Sequence, residues 1–320
     1  MISDFVPTHD QSEAFLEDAF HAFAKDVILR VEILTLREDL YCQIGVSLHC
    51  ATDMGCFPLD FQLYLPRDWT DDPVRRRSVG LPDEVVFKHR WELGLEMIDR
   101  VRDWNVPTGV IVAGLEYGKP ADFQEQLDKR KLDYVLERDS EIRVQPVGDF
   151  PRLSGSSAKY QAWPLVEDAW DVAKALPDDA WVQIAWRQGA GEQVSSFCAV
   201  RVLPRNKAEK PAGDVSGRWL LIEATVDTVE PTNFWLSNLP ENTSLEELVY
   251  WAKIRWWVEE NHRRLENALG LGHFEGRSWA GWNHHVTLTM LAYGFLAHED
   301  LRNRKDYWIE PSTSSQIAKA

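Results

Sequence analysis

Apolar and polar residues change rhythm several times along the chain. Residues 11–25, QSEAFLEDAFHAFAK, place Ala14, Phe15, Phe20 and Phe23 at helical spacing, which predicts a helix. The next run, DVILRVEILTL, is rich in β-branched residues and predicts a strand. YCQIGVSLHCAT predicts a second strand, and GCFPLDFQLYLP a third after a glycine turn. An amphipathic stripe then runs through residues 82–104, followed by a short apolar strand, VPTGVIVAG. ADFQEQLDKRK reads as a small helix and LDYVLER as another strand.

The middle of the chain carries a different pattern. WVQIAWRQ, SSFCAVRVLP, GRWLLIEATV and FWLSNLP are four strand-like runs with no helical period between them. They are separated by GAGEQ, RNKAEKPAGDVSG and DTVEPTN, which carry turn chemistry. Helical spacing returns at a capping box, where Thr243 or Ser244 precedes Glu246 or Glu247. The pattern predicts one long helix from there to about Ala268, a Gly-rich loop GLGHFEGRSWAGW, and a second helix NHHVTLTMLAYGFLAHEDL. The fold class expected is α/β. Residues 1–177 form an N-terminal helix and the first part of the core. Residues 178–240 form a β-rich insertion, and 241–310 a C-terminal helical part.

Composition narrows the function classes. The 320 residues carry 35 Lys+Arg against 51 Asp+Glu, a formal charge of −16. That balance argues against coating nucleic acid without specificity and leaves room for a local basic groove. No apolar run reaches the ~18–20 residues of a membrane span. The acidic N-terminus lacks the basic start of a signal peptide, so a cytoplasmic protein without a membrane partner is expected. Cys42, Cys50, Cys56 and Cys198 are irregularly spaced and read as buried thiols. Most of the 15 Trp read as core, with a few rings left to stack on bases.

The informative stretch is RWWVEENHRRLENALGLGHFEGRSW. On a helix, Arg255, Glu259, His262 and Glu266 share one face. An acidic side chain held beside an arginine suits a divalent cation or a phosphate site. The same spacing also describes a solvated face with ion pairs one turn apart. His262, His273, His284 and His285 suggest zinc, but adjacent histidines diverge on a helix.

The words around Glu259 are more specific. The run RW-x-x-E, then GLGHFEGRSW-x-GW-x-HHVTL, then LAYGFL resembles the C-terminal signature of bacterial insertion-sequence transposases of the DDE superfamily, insertion-sequence 701 type. CQIGVSLHCAT, LYLPRDWTDDPVRRRSVGLP, GVIVAGLEYG and SNLPENTSLEELVYWAKIRW extend the likeness over residues 41–300. The resemblance implies a ribonuclease-H-like core interrupted by a β-rich insertion. It also implies three acidic residues holding two divalent metals, Mg²⁺ or Mn²⁺, for cutting and joining DNA at terminal repeats. Self-association or pairing with a full-length transposase is implied as well.

Carried over by position, Glu259 matches the third acidic residue and Arg255 the supporting arginine. The second acidic position, at the end of the buried strand before Tyr-Gly, falls on Gly114. The Asp-Asp-Thr-Gly segment that holds the first has no counterpart, and the expected helix lysine falls on Glu266. MISDFVPTHDQSEAFLEDAFHAFAK resembles the family's N-terminal beginning, so the chain reads as internally shortened, with DVILRVEILTL standing in for a lost central strand. Glu116 and Glu32 are the nearest surrogate carboxylates. The resemblance therefore implies a catalytically degenerate transposase, or a non-catalytic DNA-binding or transposase-interacting remnant. A different hydrolase would rest on Glu259 and Glu116 alone. For DNA contact the candidates are Arg187 and Arg201 on insertion strands, Arg277 in the Gly-rich loop and His284. Each also reads as an ordinary surface or ion-paired residue, as does the VRRR cluster at 74–77. Trp251, Trp256 and Trp257 read mainly as core, with one ring available to wedge a base.

Overall fold

In the computed structural model, residues 28–35, 43–52, 55–147, 167–188, 191–205 and 217–303 are described; the helix expected over 11–25 and Cys42 lie outside them. The strands are β1 (Ile28–Thr35), β2 (Ile44–Thr52), β3 (Gly55–Tyr64), β4 (Ile111–Ala113), β5 (Tyr134–Arg138), β6 (Arg143–Pro146), β7 (Glu167–Asp168), β8 (Val182–Gln188), β9 (Gly191–Pro204), β10 (Arg218–Ala224) and β11 (Pro231–Ser237). They form one mixed sheet of order β3-β2-β1-β4-β5-β11-β10-β9-β6-β7, with β8 also paired to β9. β1 to β3 are antiparallel, whereas β1, β4 and β5 run parallel. The run DVILRVEILTL thus contributes the strand between β2 and β4, with Val31 opposite Ala113 and Glu32 opposite Ser47.

Helices cover both faces. They are α1 (Arg67–Thr70), α2 (Pro73–Val79), α3 (Arg90–Asp103), α4 (Leu115–Gly118), α5 (Ala121–Lys129), α6 (Ala169–Lys174), α7 (Leu245–Lys253), α8 (Arg255–Asn267) and α9 (Trp279–Asn303). The two-residue period of a strand decides which helix each residue meets. Ile111 and Ala113 pack with Leu93, Met97 and Ile98 of α3, while Val112 packs with Leu248 and Val249 of α7. A strand buried on both sides reads as a continuous apolar run, which is why VIVA lacks alternation. This mixed sheet with helices is consistent with the ribonuclease-H-like α/β class expected. Among the described residues no helix is long and apolar enough to cross a membrane.

The four insertion runs become β8 to β11, and β11 pairs antiparallel with β5, with Leu236 opposite Leu136. The core sheet therefore continues into the insertion without a break. The short strands β6 and β7, which the sequence pattern does not single out, join the same half through β9. Cys50, Cys56 and Cys198 are buried thiols, and burial pushes Cys50 up to about 12 and Cys198 to about 11.

Two local expectations change. The single helix predicted from Ser244 to Ala268 is two, α7 and α8, meeting at Ile254. Ser244 caps its start, its hydroxyl accepting from the Glu247 N–H at 3.1 Å, without the return bond of a full capping box. Packing explains the break: α7 lies against β5, β8 and β9, whereas α8 lies against β1, β2 and β3. The VRRR cluster, read from the sequence only as ordinary surface, lies in a helix. Asp72 caps α2 by accepting from Val74 and Arg75, and Gly80 closes it at φ 66°. Arg76 donates to the carbonyls of Thr70, Val85 and Pro82, so this arginine is structural.

Candidate functional site

The end of β4 leads directly into α4, and Gly114 stands at the junction. Its carbonyl accepts from the Tyr117 and Gly118 N–H groups, both at 3.0 Å. Gly114 is the buried N-cap of α4 and offers no side-chain oxygen. Tyr117 is buried against Phe123. Gly118 is needed for close approach, because a Cβ there would collide with the Glu137 carbonyl of β5. The Arg138 guanidinium donates to the Gly118 carbonyl and fixes the same turn. Glu116, the nearest carboxylate, is exposed and lies 3.4 Å from Arg90 of α3. Arg90 itself sits over the Tyr64 ring.

Helix α8 presents three different sides. Val258, Asn261 and Leu265 are buried against the sheet. Asn261 donates to the Cys56 carbonyl at 2.9 Å, and the Tyr293 hydroxyl of α9 donates to the same oxygen at 3.1 Å. Glu260 pairs with Arg263 and Arg264 on the outer side. The face predicted to unite Glu259, His262 and Glu266 is therefore a flank of the buried side. His262 turns inward to Ser47 and His49, Glu259 is exposed, and Glu266 is half-buried. Desolvation raises the Glu266 carboxyl above its ordinary range.

The remaining candidates are spread over the molecule. The side chains of Glu32, Arg187 and Arg255 lie outside the described part, although the backbone places Arg187 opposite Glu192. Arg201 is tied into the insertion: it donates to the Gly217 carbonyl, approaches Glu241 at 3.4 Å and stacks over Trp219. Arg277 is exposed in the segment before α9, and His284 is exposed near the start of α9. His285 instead bonds the carbonyls of Gly270 and Leu271, both at 3.1 Å. Trp251 packs in the core beneath β8 to β11.

Three polar assemblies escape sequence reasoning. Ser47, His49 and His262 meet between β2 and α8; the signal for them was a polar i, i+2 pair inside an apolar strand. Arg218, buried on β10, reaches Asp128 at 3.2 Å and the Tyr134 hydroxyl at 3.1 Å. Lys253 of α7 lies 2.6 Å from buried Glu223 and faces the rings of Trp186, Trp235 and Phe197.

The family model of the DDE superfamily endonucleases matches residues 37–193. This segment resembles a DDE superfamily endonuclease. No curated protein matches the chain. The DDE-like segment runs from just before β2 into the start of β9, so it includes Gly114 and Glu116 and stops short of Glu259. The match supports a nuclease- or transposase-like function in general terms. Enzymes of this superfamily use divalent metal ions and act on DNA. The described residues do not fit a carboxylate-held pair of such ions. Among them no group of three or more His, Cys, Asp or Glu is placed to hold a metal. Gly114 contributes only backbone, and Glu116 is drawn toward Arg90.

Proposed function

We propose that this chain is a DDE-type transposase of the insertion-sequence 701 kind whose strand-cleavage centre is impaired. Its retained role is binding insertion-sequence ends or a full-length transposase. The observation supporting this reading is Gly114, a buried backbone cap at the end of β4, at the position where the resemblance implies a carboxylate. In-line displacement at phosphorus needs two hard cations held by oxygen ligands from several elements. Glu259 alone, exposed on α8, cannot supply that clamp.

The test is nicking of supercoiled plasmid bearing the element's ends, in Mg²⁺ and Mn²⁺, with Glu259→Gln in parallel. The expected outcome is no nicking by folded protein, together with gel-shift binding that weakens as salt rises, since phosphate contacts release counterions. Nicking that disappears in Glu259→Gln would overturn the impaired reading and make Glu32 and Glu116 the next residues to change. Absence of binding at low salt, both to DNA and to a full-length transposase, would remove the retained role.

A further inference from the structure

Helix α9 is apolar on two opposite sides. Trp282, Val286, Met290 and Tyr293 are buried in the core beside α3 and β3. Leu288, Leu291, Ala292, Phe295 and Leu296 form a second stripe, turned the other way, at the spacing i, i+3, i+4, i+7 and i+8. Leu288, Phe295 and Leu296 are 51%, 55% and 50% exposed, and Ala292 is exposed between them. A surface helix ordinarily turns polar or charged residues to water on its outer side. A contiguous apolar stripe there marks a surface made for contact. Its two ends differ in chemistry. Exposed His284 lies one turn before Leu288, and half-buried Glu299 one turn after Phe295.

We propose that a second copy of this chain covers the stripe, with the two α9 helices packed antiparallel about a twofold axis. The midpoint of the stripe falls between Leu291 and Ala292. An antiparallel pairing centred there sets Leu288 level with Phe295 of the second copy, and Leu291 level with Ala292 of the second copy. The small Ala292 side chains at the middle let the axes approach to about 8–10 Å, as close helix packing requires. The same arrangement sets His284 level with Glu299 of the second copy at both ends. An imidazole N–H donates to a carboxylate whether or not the ring is charged. Glu299 approaches His298 of its own chain at 3.6 Å and, with two oxygens, accepts from both. A parallel pairing instead places Glu299 beside Glu299, two like charges. Charge therefore selects the antiparallel pair, and twofold symmetry closes the contact at a dimer. From His284 to Glu299 the contact runs about 22 Å along the helix. One helix face on another is small for an interface, so a dissociation constant in roughly the micromolar range is expected. The inference uses neither Gly114 nor Glu259, does not depend on DNA, and assigns His284 to protein contact.

The experiment is sedimentation velocity of the full chain without DNA, from below to above the micromolar range, with circular dichroism and thermal unfolding in parallel. We expect monomer to give way to dimer as concentration rises. Phe295→Asp and Leu288→Asp put a charge on an already exposed stripe, so the fold should persist. Each should weaken association by roughly tenfold or more, because the dimer would bury that charge. His284→Glu should weaken the dimer several-fold by setting two carboxylates together, and adding Glu299→Lys should restore it. A full chain that stays monomeric throughout overturns the proposal; if Phe295→Asp then also lowers the unfolding temperature, a segment of the same chain covers the stripe. A dimer that survives in folded Phe295→Asp and Leu288→Asp overturns it by placing the interface elsewhere. Failure of the charge exchange to restore the dimer overturns the antiparallel pairing.

Discussion

Arg218 shows how much one side chain holds together. Its guanidinium joins β10 to α5 through Asp128 and to β5 through the Tyr134 hydroxyl, with only 6% of the side chain exposed. Arg218→Ala leaves an acid and a buried hydroxyl without their donor, and we expect a loss of about 2–4 kcal/mol in urea unfolding. Arg218→Lys keeps the charge and loses the two-pronged geometry, so it should recover only part. Glu266 works in the opposite sense. Its pKa is raised by desolvation, so the folded state holds a proton where the unfolded state has released it. Its favourable contribution is present below the ordinary Glu value and is lost as pH rises through the raised one. Glu266→Gln should therefore stabilise the chain at neutral pH, and thermal unfolding should show that advantage fading on acidification. Neither effect was legible in the sequence. Arg218 and Asp128 are 90 residues apart, and LLIEA gives no sign that the arginine before it is buried.

At the scale of elements, Lys253 joins helix to strands. It sits in the last turn of α7, while Glu223, Trp186, Phe197 and Trp235 come from β10, β8, β9 and β11. The ammonium is 4.0 Å from the Trp186 ring centroid, within cation–π range. Lys253→Met strands Glu223, whose side chain is 6% exposed and retains a 2.7 Å bond from Asn233. We expect a loss of about 3 kcal/mol. The double variant with Glu223→Gln should recover part of it, read as coupling in a double-mutant cycle. The elements themselves were largely visible, because period-two and period-3.6 patterns are local. YCQIGVSLHCAT and FWLSNLP announced β2 and β11, and the Ser244 capping box announced α7. The break at Ile254 was not visible, since the apolar pattern continues through it while the packing partners change. Residues 143–146 form a strand only because β9 lies beside them. At the candidate site, the glycine ending the buried strand before Tyr-Gly was readable from the motif, whereas the meeting of His49 with His262 required the fold.

For the whole molecule, β4 and β5, buried on both sides, send alternate residues into two cores and so organise the two faces, and β8 to β11 enlarge the sheet rather than hanging from it. The family likeness predicted both the core and an insertion, yet not the direct ladder from Val135–Arg138 to Phe234–Ser237. That ladder has a consequence for any shortened form. With β11 in place, the hydrogen-bonding rim of β5 is satisfied within one chain. A fragment ending at residue 177 would carry β5 as a raw margin whose fully buried Tyr134, Val135 and Leu136 lie alongside open amides and carbonyls. Such margins recruit other strands. The fragment should therefore precipitate or form open-ended oligomers in light scattering while the full chain does not. The β-rich half thus acts as a built-in stopper, keeping the first half of the molecule from polymerising with its own kind.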